Sequence, residues 1–158
     1  MVNKRLTVWI SVLACSVMLS GLSYAEGPVT PKPKDKCPVC GMFVSLYPKW
    51  TAEIIFKDGT NAVFDGPKDM FKYYFNVSKY NKNKTDKEIS GIYVTEYYTT
   101  KIMSARDVYF VKDSDVMGPM GNELVPVKGE REVGTFMRDH GGKKMLKFGE
   151  ITSADIPR

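Results

Sequence analysis

The chain has 158 residues, with 23 basic side chains, 18 acidic side chains and one histidine, and its net charge is +5. Cleavage of an N-terminal export signal would remove Lys4 and Arg5 and lower this charge to +3, so the composition does not predict nucleic-acid binding. About 133 residues would then remain, enough for one domain or two small units with a shared core, and such a core needs no disulfides.

Residues 1–25 have the pattern of a secretory signal peptide. A basic start at Lys4 and Arg5 precedes an uncharged apolar run over residues 6–22, and residues 23–25 form a small-x-small cleavage site. We therefore predict export to the periplasm and a mature chain that begins at Glu26. An alternative is lipidation at Cys15, because residues 12–15 are similar to a lipoprotein processing site.

A proline-rich segment and a cysteine motif follow the signal. Residues 26–36 contain three prolines among charged residues and predict an extended, semi-rigid tether. The next six residues, CPVCGM, begin at Cys37 and place two thiols and a thioether close together in the chain. Because Cys15 lies in the predicted signal, Cys37 and Cys40 would be the only cysteines of the cleaved protein.

Residues 37–98 predict a first small unit. Residues 51–56 and 61–64 have strand patterns and are separated by Asp58-Gly59, which is a strong hairpin signal. Pro67 is favourable at the first position of a helix, and apolar residues recur at helical spacing after it. A third strand is predicted over residues 92–98, so the order is strand, strand, helix, strand.

Residues 99–158 repeat this order with one extra strand. Strand patterns occur at residues 102–103, 108–111, 124–127 and 145–148, and residues 130–140 predict a helix that ends at two glycines. Between them, residues 113–122 predict a loop rich in Gly, Pro and Met. We therefore predict an α+β fold built from two similar small units that pack together.

The residues that indicate a chemical role are those with sulfur side chains, whose thiol and thioether groups are soft metal ligands. The thiols of Cys37 and Cys40 and the thioether of Met42 are ligands that select Cu(I) over harder cations. Met117 and Met120 lie in the Gly- and Pro-rich loop, where large apolar side chains suit ligand binding, although packing under their own loop is an alternative. These five residues are the predicted metal ligands.

A Cys-x-x-Cys pattern alone allows other interpretations. The pattern is compatible with a disulfide in an oxidising compartment and with a thioredoxin-like redox pair, although no strand is predicted before the motif and no helix after it. Zinc would have to recruit carboxylates, since the only other ligand of the usual type is the distant His140, which we assign to a structural role at a helix end. No nucleophile elbow, phosphate loop or paired-carboxylate pattern is present, so we predict that the protein is not an enzyme.

Three segments taken together resemble the NosL family, accessory proteins for the copper centres of nitrous oxide reductase. They are Cys40-Gly41-Met42, residues 120–126 (MGNELVP) and residues 136–142, and the resemblance extends over nearly all of the mature chain. It implies two small α+β units related in fold to organomercurial lyase. That kinship makes organomercurial-lyase activity the weakest of the alternative functions.

The resemblance also implies ligands and partners. It implies one Cu(I) bound by Cys40 and Met120, with Met42 as a third candidate, and a copper-receiving periplasmic enzyme, nitrous oxide reductase or a similar one, with other assembly factors. Cys37 departs from the family pattern and either joins the site or forms a disulfide with Cys40. Because a shared site needs Cys40 near Met120, we expect residues 116–122 to lie against residues 37–42.

Overall fold

The computed structural model describes residues 27–28 and 30–158, so the predicted signal peptide and Cys15 lie outside the described residues. Helices and antiparallel sheets are mixed along this part of the chain, which confirms the predicted α+β class. None of the helices described is long and apolar enough to span a bilayer.

The first half of the chain forms a four-stranded sheet with two helices. Its elements are β1 (Ala52–Phe56), β2 (Asn61–Phe64), α1 (Pro67–Tyr74), α2 (Val77–Tyr80), β3 (Ile89–Thr95) and β4 (Ile102–Ser104). The antiparallel strand order is β2-β1-β3-β4. The predicted hairpin joins β1 and β2, with Ala52 opposite Phe64, and Gly59 supplies the positive φ of 80° in its turn.

The second half forms a three-stranded sheet, a short hairpin and one helix. Its elements are β5 (Tyr109–Lys112), β6 (Met117–Gly118), β7 (Gly121–Asn122), β8 (Val125–Val127), α3 (Glu130–His140) and β9 (Lys144–Lys147). The antiparallel sheet has the order β8-β5-β9, and β6 and β7 pair with each other in a separate two-stranded sheet. The helix predicted over residues 130–140 is confirmed, and it ends at Gly141 in the left-handed conformation.

The two larger sheets share one strand order. In each, the first strand lies between the second and third, and a helix connects the second strand to the third. The sequence analysis places the extra strand at residues 102–103 in the second unit. In the structure this strand pairs with β3, with Met103 opposite Val94, and so belongs to the first sheet. The reason is that a short turn after β3 leads the chain directly back along the same strand.

Both halves contribute to one hydrophobic core. Phe71 of α1 is fully buried, and its ring centroid lies 5.0 Å from that of Phe110 in β5 and 5.4 Å from that of Phe148 after β9. Cys37 and Val44 belong to the same core, so the cysteine motif is packed onto the body of the protein. The position of the motif is therefore fixed by the packing of both halves.

We expect Phe71→Ala to lower the free energy of unfolding by about 3–5 kcal/mol, because it removes contacts to both halves and leaves a cavity. Denaturant unfolding followed by circular dichroism measures this change. Leu46→Ala, at a side chain that is 68% exposed, is the control and should change the free energy by no more than about 0.5 kcal/mol. A loss below about 1 kcal/mol for Phe71→Ala would contradict a shared core.

Candidate metal centre

The cysteine motif folds into a closed turn. The Cys37 N–H donates to the Met42 carbonyl oxygen at 2.9 Å, and the Gly41 N–H donates to the Cys37 carbonyl oxygen at 2.8 Å. Gly41 adopts a φ of 79°, which a side chain would make unfavourable, and Lys36 pairs with Phe43 across the base of the turn. The turn brings Cys37 and Cys40 together at the start of α1.

Two carboxylates at the start of α1 complete a cluster with the thiols. Asp65 follows β2, and Asp69 lies in the first turn of the helix. The Cys40 Sγ donates to Asp65 Oδ1 at 3.2 Å, and the Cys37 Sγ donates to Asp69 Oδ2 at 3.6 Å. One ligand atom of each residue lies within 4.8 Å of the others, and we term this group the Cys–Asp cluster.

The Cys–Asp cluster is largely shielded from solvent. Cys37, Asp65 and Asp69 are at most 2% exposed, whereas Cys40 is partly accessible. Lys72 forms an ion pair with Asp69 Oδ1 at 3.0 Å. A buried pair of carboxylates favours a cation and disfavours an anion, and Cys40 is the member that an incoming ion reaches first.

Burial is the main cause that raises the pKa of both thiols. The pKa of Cys37 is raised to about 11 by burial, with a smaller contribution from the Asp65 carboxylate. Burial also raises the pKa of Cys40, and Cys37, Asp65 and Asp69 add to this effect. Both cysteines are free thiols rather than a disulfide, so a metal must displace their protons to bind them.

The predicted methionine ligands lie in two places. Met42 is partly buried at the end of the cysteine turn. Met117 and Met120 lie in the β6–β7 hairpin, where they are 57% and 47% exposed. We term residues 117–122 the methionine hairpin, and its exposed thioethers leave it open to metal or to a partner.

The methionine hairpin contacts the same helical turn as the thiols. Lys68 Nζ donates to the Met120 carbonyl oxygen at 2.7 Å, and Lys68 directly precedes Asp69 in the first turn of α1. The hairpin is thus tied to the helical turn that carries Asp69, the hydrogen-bond partner of Cys37. Direct contact between residues 116–122 and residues 37–42 stays a prediction. That Cys40 and Met120 share one ion stays a prediction.

Glu123 caps α1 from the second half of the chain. Gly66, at the N-cap position, has no side chain to accept a free N–H of the first turn, and the Glu123 carboxylate accepts the N–H groups of Lys68 and Leu124 instead. Burial raises the pKa of Glu123 to about 8. Because Lys68 and Glu123 are 55 residues apart, no local sequence signal marks this contact.

His140 lies apart from the Cys–Asp cluster. Its Nδ1 is 3.0 Å from Asp115 Oδ1, and its ring centroid is 4.7 Å from that of Phe136. Its Nε2 is 3.4 Å from the Tyr97 hydroxyl oxygen. These contacts fit the structural role that we assigned to it at the end of α3.

The sequence analysis missed Asp65 and Asp69 as candidate ligands. Asp65 was interpreted only as part of a helix start, and the fold is needed to bring it against Cys40, 25 residues earlier in the chain. The one feature of the nearby sequence that could have indicated them is their spacing, which places Asp65 just before the predicted helix and Asp69 in its first turn. They are the carboxylates that a zinc site at these cysteines would have to recruit.

Comparisons with known proteins identify a matching family and a similar fold. The model of the NosL family matches residues 28–156 of this chain. The structure is similar to the crystal structure of the copper chaperone NosL from Shewanella denitrificans, with a TM-score of 0.69 and 21% identity over 81% of this chain and 97% of that chain.

A second similar structure is the solution NMR structure of apo-NosL from Achromobacter cycloclastes. Its TM-score is 0.48, with 21% identity over 66% of this chain and 87% of that chain. A comparison with curated proteins finds no match. The likeness to the Shewanella structure shows that the fold is shared.

The raised pKa values predict slow alkylation of both thiols. At pH 8, iodoacetamide should modify Cys37 and Cys40 at least about tenfold more slowly than free cysteine, because the thiolate is the reactive form. Asp65→Asn and Asp69→Asn should each accelerate the reaction at Cys40, since they remove a carboxylate that disfavours the thiolate. Peptide mass spectrometry gives the rates, with Glu130→Gln as an exposed control, and equal rates in all variants would contradict the contribution of the carboxylates.

Glu123 should make stability depend on pH. Its ordinary pKa of 4.5 applies to the unfolded chain and about 8 to the folded one, so folding binds a proton between these pH values. Its contribution to stability therefore falls as the pH rises through this window.

Glu123→Gln keeps the acceptor oxygen and removes the titration. The free energy of unfolding of this variant, relative to wild type, should rise by at least about 1 kcal/mol from pH 5 to pH 9. Denaturant unfolding at both pH values measures the difference, and the exposed Glu130→Gln should show no such trend. A difference that is the same at pH 5 and pH 9 would contradict the raised pKa.

Proposed function

Because the chain belongs to the NosL family, we propose that it is a copper chaperone that binds Cu(I) outside the cytoplasm and delivers it to a copper enzyme. The Cys–Asp cluster is the observation that carries this proposal. Its two sulfur atoms lie within 4.8 Å of each other, close to the roughly 4.6 Å that two metal–sulfur bonds of about 2.3 Å span when they are in line. Thiolates are soft ligands, and the shared fold with a protein described as a copper chaperone supports copper as the cargo.

Copper loading exchanges protons for the ion. Cu(I) reaches the partly accessible Cys40 first. The S–H bond of Cys40 then breaks as the Cu–S bond forms, and the proton passes to water. Cys37 follows in the same way. Asp65 and Asp69 then no longer accept thiol hydrogen bonds, and they lie against two thiolates. The repulsion among these negative charges limits the affinity, which suits a protein that must release its metal.

Thioethers provide a route for copper to leave. Met117 and Met120 are exposed on the methionine hairpin, and Met42 closes the cysteine turn. A partner can replace the ligands of Cu(I) one at a time when the ion has few ligands and one of them is accessible. We propose Met120 as the thioether that completes the site, with Met42 and Met117 as the other candidates.

The location and the recipient are further parts of the proposal. The secretory pattern of residues 1–25 supports a periplasmic protein, and the proline-rich residues 26–36 would act as a spacer if Cys15 were lipidated instead. We propose a periplasmic copper enzyme as the recipient, nitrous oxide reductase or a similar enzyme, acting with other assembly factors. Family membership is the support for this choice.

The thiol pKa values weigh against a thiol–disulfide oxidoreductase. Such enzymes use an accessible thiolate with a lowered pKa, whereas burial raises the pKa of both cysteines here. Zinc is the second candidate cargo, because Cys37, Cys40, Asp65 and Asp69 supply four donors of the types that tetrahedral zinc accepts. Copper is preferred because the family and the soft thiols both point to it.

An anaerobic titration with a competing chelator tests the proposal. The protein should bind one Cu(I), and Cys37→Ser and Cys40→Ser should each weaken binding at least about tenfold, whereas Met145→Leu, at an exposed methionine of β9, should leave it unchanged. Asp65→Asn and Asp69→Asn should weaken binding of Zn²⁺, which can use the carboxylates as ligands, but not that of Cu(I). Unchanged Cu(I) affinity in Cys40→Ser would contradict the copper site, and tighter binding of Zn²⁺ than of Cu(I) would favour zinc as the cargo.

A further inference from the structure

Two residues with ionisable side chains are buried where the halves of the protein meet. Lys68 is 2% exposed and Glu123 is 3% exposed. The Lys68 ammonium donates to the Met120 carbonyl oxygen, and the Glu123 carboxylate accepts the Lys68 backbone N–H. Burial of polar and ionisable groups is costly unless they are hydrogen-bonded, so these contacts strongly favour the observed position of the methionine hairpin.

Glycines make room for the Glu123 carboxylate on both sides. A Cβ atom at Gly118, in β6, would lie 2.9 Å from Glu123 Oε2, and a Cβ atom at Gly66, before α1, would clash with the same oxygen. The carboxylate therefore fills the gap between the methionine hairpin and the first turn of α1. A side chain at either glycine would displace the Glu123 carboxyl group from this gap.

We propose that Lys68 and Glu123 are positioning residues that clasp the methionine hairpin to the first turn of α1, so that Met120 assists copper binding only while this clasp is closed. The inference rests on the proposed function, since it concerns the same cargo and the same cluster. Neither Lys68 nor Glu123 needs to touch the metal. They act through the helical turn that also carries Asp69, the hydrogen-bond partner of Cys37.

The clasp links the metal cluster to the hairpin mechanically. Opening the hairpin would take away the acceptor of a buried ammonium and the cap of a helix N-terminus, so the hairpin and the helical turn move together. A metal that shifts Asp65 or Asp69 thus shifts the hairpin as well. Conversely, release of the hairpin by a partner protein would remove a thioether from copper and favour transfer.

A double-mutant cycle tests this link on the copper-loaded protein. Cu(I) affinity is measured by chelator competition for wild type, Lys68→Leu, Met120→Leu and the double variant, with Cys40→Ser in the same series and the exposed Lys82→Leu as the matched control. We expect Lys68→Leu and Met120→Leu each to weaken binding about tenfold and the double variant to be no weaker than Lys68→Leu alone. Lys82→Leu should match wild type.

Additive losses, or no loss in Met120→Leu, would overturn the clasp. If Cys40→Ser still weakens Cu(I) binding at least about tenfold in that case, the copper proposal survives; if Cys40→Ser leaves the affinity unchanged, the copper site itself fails.

A second readout covers the case in which Lys68→Leu is unstable. In the apo protein labelled with ¹³C-methyl methionine, Glu123→Gln should leave the Met117 and Met120 methyl signals near their wild-type positions, because Gln retains the acceptor. Glu123→Ala, which removes it, should move both signals towards those of an unstructured chain. Identical spectra for Glu123→Ala and wild type would overturn the clasp.

Discussion

Two thiol–carboxylate hydrogen bonds at the start of α1 are the constraint on which the metal centre depends. They join Cys37 to Asp69 and Cys40 to Asp65, and they do so in a region that excludes most of the solvent. Burial and nearby carboxylates keep both sulfurs protonated, so the pair does not have the low-pKa thiolate that disulfide exchange requires. The same arrangement is ready for a cation that can displace the protons.

The fold places this cluster where both halves can act on it. The cysteine turn packs on the shared core, which includes Phe71 of α1, and of the two carboxylates Asp65 lies just before this helix and Asp69 in its first turn. The second half reaches the first turn of that helix through Glu123 and through the backbone of Met120. A chaperone needs ligands that are held but also removable, and an exposed hairpin on a rigid helical turn meets both needs.

Local signals in the sequence were sufficient for much of the fold and for the thiols. Asp58-Gly59 marked the hairpin, Pro67 marked the first residue of α1, and the apolar spacing of residues 130–140 marked α3. The carboxylates and the Lys68–Glu123 contact depend on residues 25 to 55 positions apart, and periodicity carries no information at that range. The strand at residues 102–103 was misplaced because pairing is decided by tertiary structure.

X-ray absorption at the copper K-edge of protein loaded with one equivalent of Cu(I) tests the central claim most directly. Binding by Cys37 and Cys40 predicts a Cu(I) edge and a first shell that contains at least two sulfur atoms, near the roughly 2.3 Å of a metal–thiolate bond. A first shell of oxygen and nitrogen alone would contradict the account. So would a sulfur shell that is unchanged when both cysteines are replaced by serine.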